Sequence, residues 1–168
     1  MRNVSTRCLN LIVLLALFVT CLPQLRAATR PEPTGQTKEA AIAKIDQLLQ
    51  QSGYNFRKPS DRVWVVNRHG ANIGDFQILV GADENYMLMG VVVAKKGQMR
   101  MTSDLTFKLL RLAHAIDYVK LGLDNDEDLF VRTEVRIRLF DLQSLKDAVE
   151  DVSSAADKAY LAVKPFLK

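Results

Sequence analysis

The chain has 168 residues, of which 48% are hydrophobic and 25% charged, with a formal charge of +4. Much of that basicity belongs to the first 27 residues: without them Arg2, Arg7 and Arg26 go, no acid goes, and the charge falls to +1. Both cysteines, Cys8 and Cys21, lie in the same stretch. The remainder therefore excludes a disulfide framework, thiolate chemistry and cysteine-ligated zinc, and its charge gives no reason to expect a nucleic-acid partner.

The first 27 residues read as an export signal. Arg2 and Arg7 form a basic start, "LNLIVLLALFV" from Leu9 to Val19 is an apolar run, and Pro23 breaks it. "QLRAA" then places Leu25 and Ala27 at the positions a signal peptidase reads. The run is shorter than the roughly 20 apolar residues a membrane span needs, so no stable span is expected after cleavage. The expectation is a signal peptide over 1–27, a linker over 28–36 and one domain over 37–168, periplasmic or secreted. Cys21 offers a lipoprotein alternative, but Phe18, Val19 and Thr20 ahead of it are not the small residues such sites favour.

"TRPEPTGQ", Thr29 to Gln36, has two prolines, a glycine and no periodicity, as a linker does. A first helix is predicted from about Thr37 to Ser52, with Ala41, Ile42, Ile45, Leu48 and Leu49 on one stripe. Thr34 or Thr37 can cap its start and Gly53 its end. Three strands follow: Val63–Asn67, Ile73–Val80 and Tyr86–Ala94, separated by "RHGAN" and "GADEN" turns. The third, "YMLMGVVVA", is apolar on both faces, which predicts a central strand covered by helices on one side and by something else on the other.

A second helix begins near Thr102 or Ser103 and keeps helical spacing through Leu105, Leu109, Leu112, Ala113, Ile116 and Val119. The period then changes to two. Tyr118–Asp124 is a fourth predicted strand. From Leu129 the odd positions through Leu139 are mostly apolar, while Arg132, Glu134, Arg136 and Arg138 give the even positions a wet, charged face. Asp141 caps a last helix carrying Leu142, Leu145, Val149, Val152, Ala156 and Ala159, and Pro165 ends it. The order α-β-β-β-α-β-β-α predicts an α+β fold with a twisted antiparallel five-stranded sheet flanked by helices.

Between the last two predicted strands stands "DNDED", Asp124 to Asp128. Acids at alternate positions suggest a calcium loop. Such a loop also wants glycine sixth and glutamate twelfth, and those places hold Leu129 and Val135. A hairpin tip is the better reading. The two histidines, His69 and His114, show no metal-ligand spacing, and no nucleophile elbow or phosphate loop occurs. No metal, cofactor or catalytic residue is predicted. The methionines after the first, Met87, Met89, Met99 and Met101, fall close together, and with Trp64 they form the candidate binding set. Methionine adapts to varied apolar partners, although filling gaps between sheet and helix is the commoner role for such residues.

The segment "LLRLAHAIDYVKLGLDNDEDLFVRTEVRIRLFDLQSLKDAVEDVSSAADKAYLAV" resembles the YbjN-like domain of bacterial sensory transduction regulators, which shares the type III secretion chaperone-like fold. The leucine-rich helix, the "KLGLDNDEDLFVRTEV" hairpin and the closing helix with "AADKAY" carry the resemblance. It implies a helix-flanked sheet without common catalytic residues, a protein or peptide client, and dimerisation as one mode of assembly. The expected function is an exported, non-enzymatic, chaperone-like or regulatory protein-binding module. The alternative is a carrier of a small apolar ligand or lipid.

Overall fold

The computed structural model describes residues 37–83 and 85–168, so the expected signal peptide and linker, and Glu84, lie outside the described residues. Helix α1 spans Lys38–Ser52. The Thr37 hydroxyl accepts from the Ala40 amide at 3.3 Å, and Gly53 closes the helix at φ 78°, a left-handed conformation that glycine takes without a Cβ clash. Strands β1 (Phe56–Ser60), β2 (Val63–Gly70), β3 (Gly74–Ala82) and β4 (Tyr86–Ala94) follow. Then come helix α2 (Ser103–Ala115), strands β5 (Lys120–Leu123) and β6 (Leu129–Arg136), and helix α3 (Leu142–Val163).

The six strands form one antiparallel sheet in the order β1-β2-β3-β4-β6-β5. The α+β class and antiparallel pairing agree with the sequence, but the strand count of five is corrected to six. The missing strand is β1, "FRKPS", which is exposed at every position but the first and whose register shifts between Arg57 and Ser60. A short, charged, proline-bearing edge strand has no alternating apolar signal to detect.

Two further boundaries move for the same kind of reason. Helix α2 stops at Ala115, while Ile116 and Val119 pack half-buried against the core from an extended segment. Apolar spacing thus continues past the end of the helix. Strand β6 stops at Arg136, and Ile137–Leu139 is a 3₁₀ turn whose Ile137 carbonyl accepts from the Lys44 ammonium at 2.7 Å. Ile137 is buried, but Leu139 points outward rather than into the core.

The three helices of the described residues pack on one face of the sheet, with α3 over β4 and β6 and the other two beside it. Trp64, Ile78, Met87, Met89 and Val131 project from the strands into that layer, where Leu49, Leu105, Leu145 and Val152 meet them. Two polar staples fix the layers. Asp46 of α1 accepts from the Trp64 indole N–H at 2.6 Å and from the Lys58 ammonium at 2.6 Å. Asp157 of α3 accepts from the Asn72 and Ile73 amides and the Asn72 side chain at 2.6–3.0 Å, pinning the β2–β3 turn. Gly70 has to be glycine there, since a Cβ would lie 2.6 Å from the Asp157 carboxylate.

Candidate functional site

The acidic loop is a hairpin tip. Leu123 pairs with Leu129, and the Asp124 amide donates to the Asp128 carbonyl at 3.1 Å. The Asp124 carboxylate is turned inward to accept from the Asp126 and Asp128 amides, both at 2.9 Å. Glu127 takes φ 61°, a turn conformation that closes the five-residue loop.

That hairpin also sets the character of the sheet's outer edge. Because Asp124 bonds Asp128, antiparallel alternation makes Gly122 and Lys120 bond across to β6 as well, so the backbone groups of Leu121 and Leu123 point outward. No described strand pairs with them. The opposite edge differs: β1 presents Arg57, Lys58 and Pro59, residues that discourage strand addition.

Beside the β5 edge stands α2. Thr102 accepts from the Leu105 amide at 3.2 Å and starts the helix, and Leu105 and Leu109 anchor it in the core. Those two are its only buried residues. Phe107 and Leu110 are 63% and 61% exposed, and Met101 and Leu123 are each more than two-fifths exposed. Between helix and edge lies a groove of about 210 Å³, whose floor is Leu109, Leu121 and Leu129 and whose rim includes Met101, Leu110 and Leu123. Covering one leucine or phenylalanine fully is worth about 1.5–3 kcal/mol, so a partner seated here would gain from several at once.

Tyr118, in the connection between α2 and β5, is 86% exposed and has φ 64°. A bulky residue in that region costs on the order of 1–2 kcal/mol. The Thr133 hydroxyl, donating to the Tyr118 carbonyl at 3.0 Å, helps hold the turn. The result is an aromatic ring displayed to solvent.

The structure separates the residues singled out from sequence. Trp64, Met87 and Met89 are fully buried and Met99 is 3% exposed, so all four pack within the core. Met99 is covered by the chain's end: it bridges to Leu167, and Arg100 donates its amide to the Phe166 carbonyl at 2.9 Å. Met101 alone reaches the surface, on the groove rim. Leu110 and Leu123, which line the groove, were not among the candidates. The surplus apolar residues of α2, more than one stripe can bury, were the signal that could have found them.

A second concave region is polar. Asn67, Arg68, His69, Asp75 and Gln77 line an open depression of about 790 Å³ near the β2–β3 turn. His69 and Asp75 meet at 2.7 Å in the open, while Arg68 is drawn away to Glu150 and lies over the Tyr54 ring. Burial, followed by the Glu150 charge, pushes the Tyr54 phenol up from its ordinary value. These contacts tie β2 to α3.

No family model matches the chain, and no curated protein does. Solved structures do. A chain of the heterodimeric complex ExoU-SpcU, from the type III secretion system of Pseudomonas aeruginosa, is 18% identical at a TM-score of 0.55, over 72% of this chain and 98% of that one. The domain thus has the type III secretion chaperone-like fold. Within that fold, YbjN of E. coli, a candidate transcription regulator, is 16% identical at a TM-score of 0.54, over 76% of this chain and 95% of that one. The fold is YbjN-like, as the closing hairpin and helix suggested.

Proposed function

We propose that the protein is an exported, non-enzymatic protein-binding module that accepts an extended apolar segment of a client in the α2–β5 groove. The single observation that carries this is an uncovered apolar groove running beside a sheet edge with outward-facing backbone groups. The edge offers hydrogen bonds to an added strand, and the groove offers pockets for its side chains. The similar structure from Pseudomonas aeruginosa is itself a complex of two different proteins, which supports a protein partner. The same exposed helix and edge would serve a second copy of the chain, so assembly into a homodimer competes for this surface.

A small-ligand carrier is less well supported. The apolar groove, at about 210 Å³, is smaller and more open than the enclosed sites of about 300 Å³ or more that hold such ligands. Export rests on the basic, apolar and small-residue order of residues 1–27.

The test uses reduced, carboxymethylated α-lactalbumin, a permanently unfolded protein, as the client. The full-length protein should bind it, and Leu110→Ser with Met101→Ser, both on the groove rim, should weaken binding by about tenfold or more. Equal binding by the double variant would refute the groove. N-terminal sequencing of protein from the cell envelope should begin at Ala28, and an intact start would refute export.

A further inference from the structure

The sheet has a second face, opposite the helices, and no described element lies over it. Its outward positions follow from the register. Leu79 stands opposite Gly90, with Leu88 and Val92 diagonal to it on β4, and Val92 stands opposite Phe130. Leu79, Leu88 and Val92 are 47%, 37% and 46% exposed. The strand that contributes two of them is "YMLMGVVVA", apolar on both faces as doubly covered strands are. One side meets α3, and the other is bare among the described residues.

Charge frames this patch. Arg132 and Arg136 flank it on β6, each lying over an aromatic ring of the same face, Phe130 and Tyr86. Lys120 continues the row on β5, and Arg57 stands at the other end on β1. The one acid among the β4, β5 and β6 residues of the face, Glu134, pairs with Lys120 at 3.3 Å and with Arg132 at 3.4 Å, so a single carboxylate stands against the three cations Lys120, Arg132 and Arg136. The Nε of Arg132 is buried without a hydrogen-bond partner. Cationic donors therefore border an apolar centre.

The dimensions select the occupant. Leu79, Leu88, Val92 and Phe130 cover three neighbouring strands, about 10 Å across, which matches the width of one helix. The same sheet already solves this problem on its other side, where α3 lies over β4 and β6. A missing side chain at Gly81, where a Cβ would meet nothing within 4 Å, deepens the surface beside Leu88 into a hollow of about 370 Å³.

We infer that this open face docks an amphipathic helix of a partner protein, apolar on one side and flanked by carboxylates that meet Arg132, Arg136 and Lys120. This site is separate from the α2–β5 groove and stands or falls without it.

The probe is a fluorescein-labelled helical peptide of about 18 residues, with leucines at i, i+3, i+4 spacing and glutamates flanking them; its control has lysines in place of the glutamates. Anisotropy with the full-length protein should show binding of the acidic peptide and at least about tenfold weaker binding of the basic one. Leu88→Ser and Arg136→Glu should each weaken the acidic peptide by a similar factor, and Leu110→Ser should leave it unchanged. Arg136 is exposed, so its variant carries the test if Leu88→Ser does not fold. Equal binding of both peptides, or binding insensitive to both variants, overturns the inference. So does displacement of the peptide by a synthetic segment of residues 28–36, which would assign the face to this chain itself. A dimer that Leu88→Ser dissociates would assign it to a second copy. Binding to phosphatidylglycerol vesicles without binding to the peptide would assign it to a membrane surface.

Discussion

Helices α2 and α3 carry the same apolar period and meet different fates. Ten residues of α3 are buried, among them Leu145, Val149, Val152 and Ala156, because it lies over β4 and β6 and is flanked by the two other helices. In α2 only Leu105 and Leu109 are buried, because it rests on α3 and the four-residue strand β5. Periodicity reports that a stripe exists, not that the chain's own elements cover it. In α3 the stripe is a structural core, while in α2 apolar residues are left over and stand in water next to an unpaired strand edge. A binding surface made this way costs the fold little, since the exposed residues contribute little to its burial.

The contrast is sharpest where it should be easiest to break. Leu145→Ala removes a fully buried side chain from the first turn of α3. The neighbouring elements cannot all close on the space, so urea denaturation should show a loss of about 2–5 kcal/mol. A loss below about 1 kcal/mol would mean that α3 is not the keystone its burial indicates.

A smaller effect is expected at the end of α3 that clamps the β2–β3 turn. Burial pushes the Asp157 carboxyl up, but the Ile73 and Asn72 amides, which donate to it, outweigh that and leave it below the ordinary carboxylate range. A depressed value means that the folded state binds the proton less readily than the unfolded chain does. The stabilisation is complete above an unfolded-state value of about 4 and is lost as pH falls through the lower folded value. Asp157→Asn keeps one acceptor and sets an amide N–H₂ against the Asn72 side chain, so it should cost about 1–3 kcal/mol at pH 7. The acid limb of the stability profile should become shallower in the variant. An unchanged limb would show that other carboxylates dominate acid unfolding.

How much of this could be read from the chain alone follows the physics of each element. The β3–β4 pair, the β5–β6 hairpin and α3 were legible because each alternates or repeats against a single buried layer. Strand β1 was not, because an edge strand with Pro59 and two cations carries its hydrogen bonds without an apolar face. The candidate site was legible only at Met101. Met87 and Met89 alternate correctly toward one face, but nothing in a strand's own sequence says which face receives the helices. That is decided by the whole topology, which put both methionines under α3 and left Leu88 and Val92 outside. The expectation that β4 is covered on two sides is met on one of them among the described residues.

The smallest expected effect on stability tests the comparison most directly. Leu110 is 61% exposed on α2, next in sequence to the buried Leu109 and about 100° round the helix from it, and lines the groove. Serine there removes apolar surface that is already wet and leaves the anchors Leu105 and Leu109 in place. Serine is a slightly weaker helix former than leucine, so a change within about 0.5 kcal/mol is expected in urea denaturation. Binding of an unfolded client should fall sharply in the same variant, because the partner, not the fold, is what would bury this side chain. Similar losses of stability in Leu110→Ser and Leu145→Ala would erase the distinction between the two helices. Helix α2 would then be a packed element, and its exposed stripe would have to be covered within the protein itself.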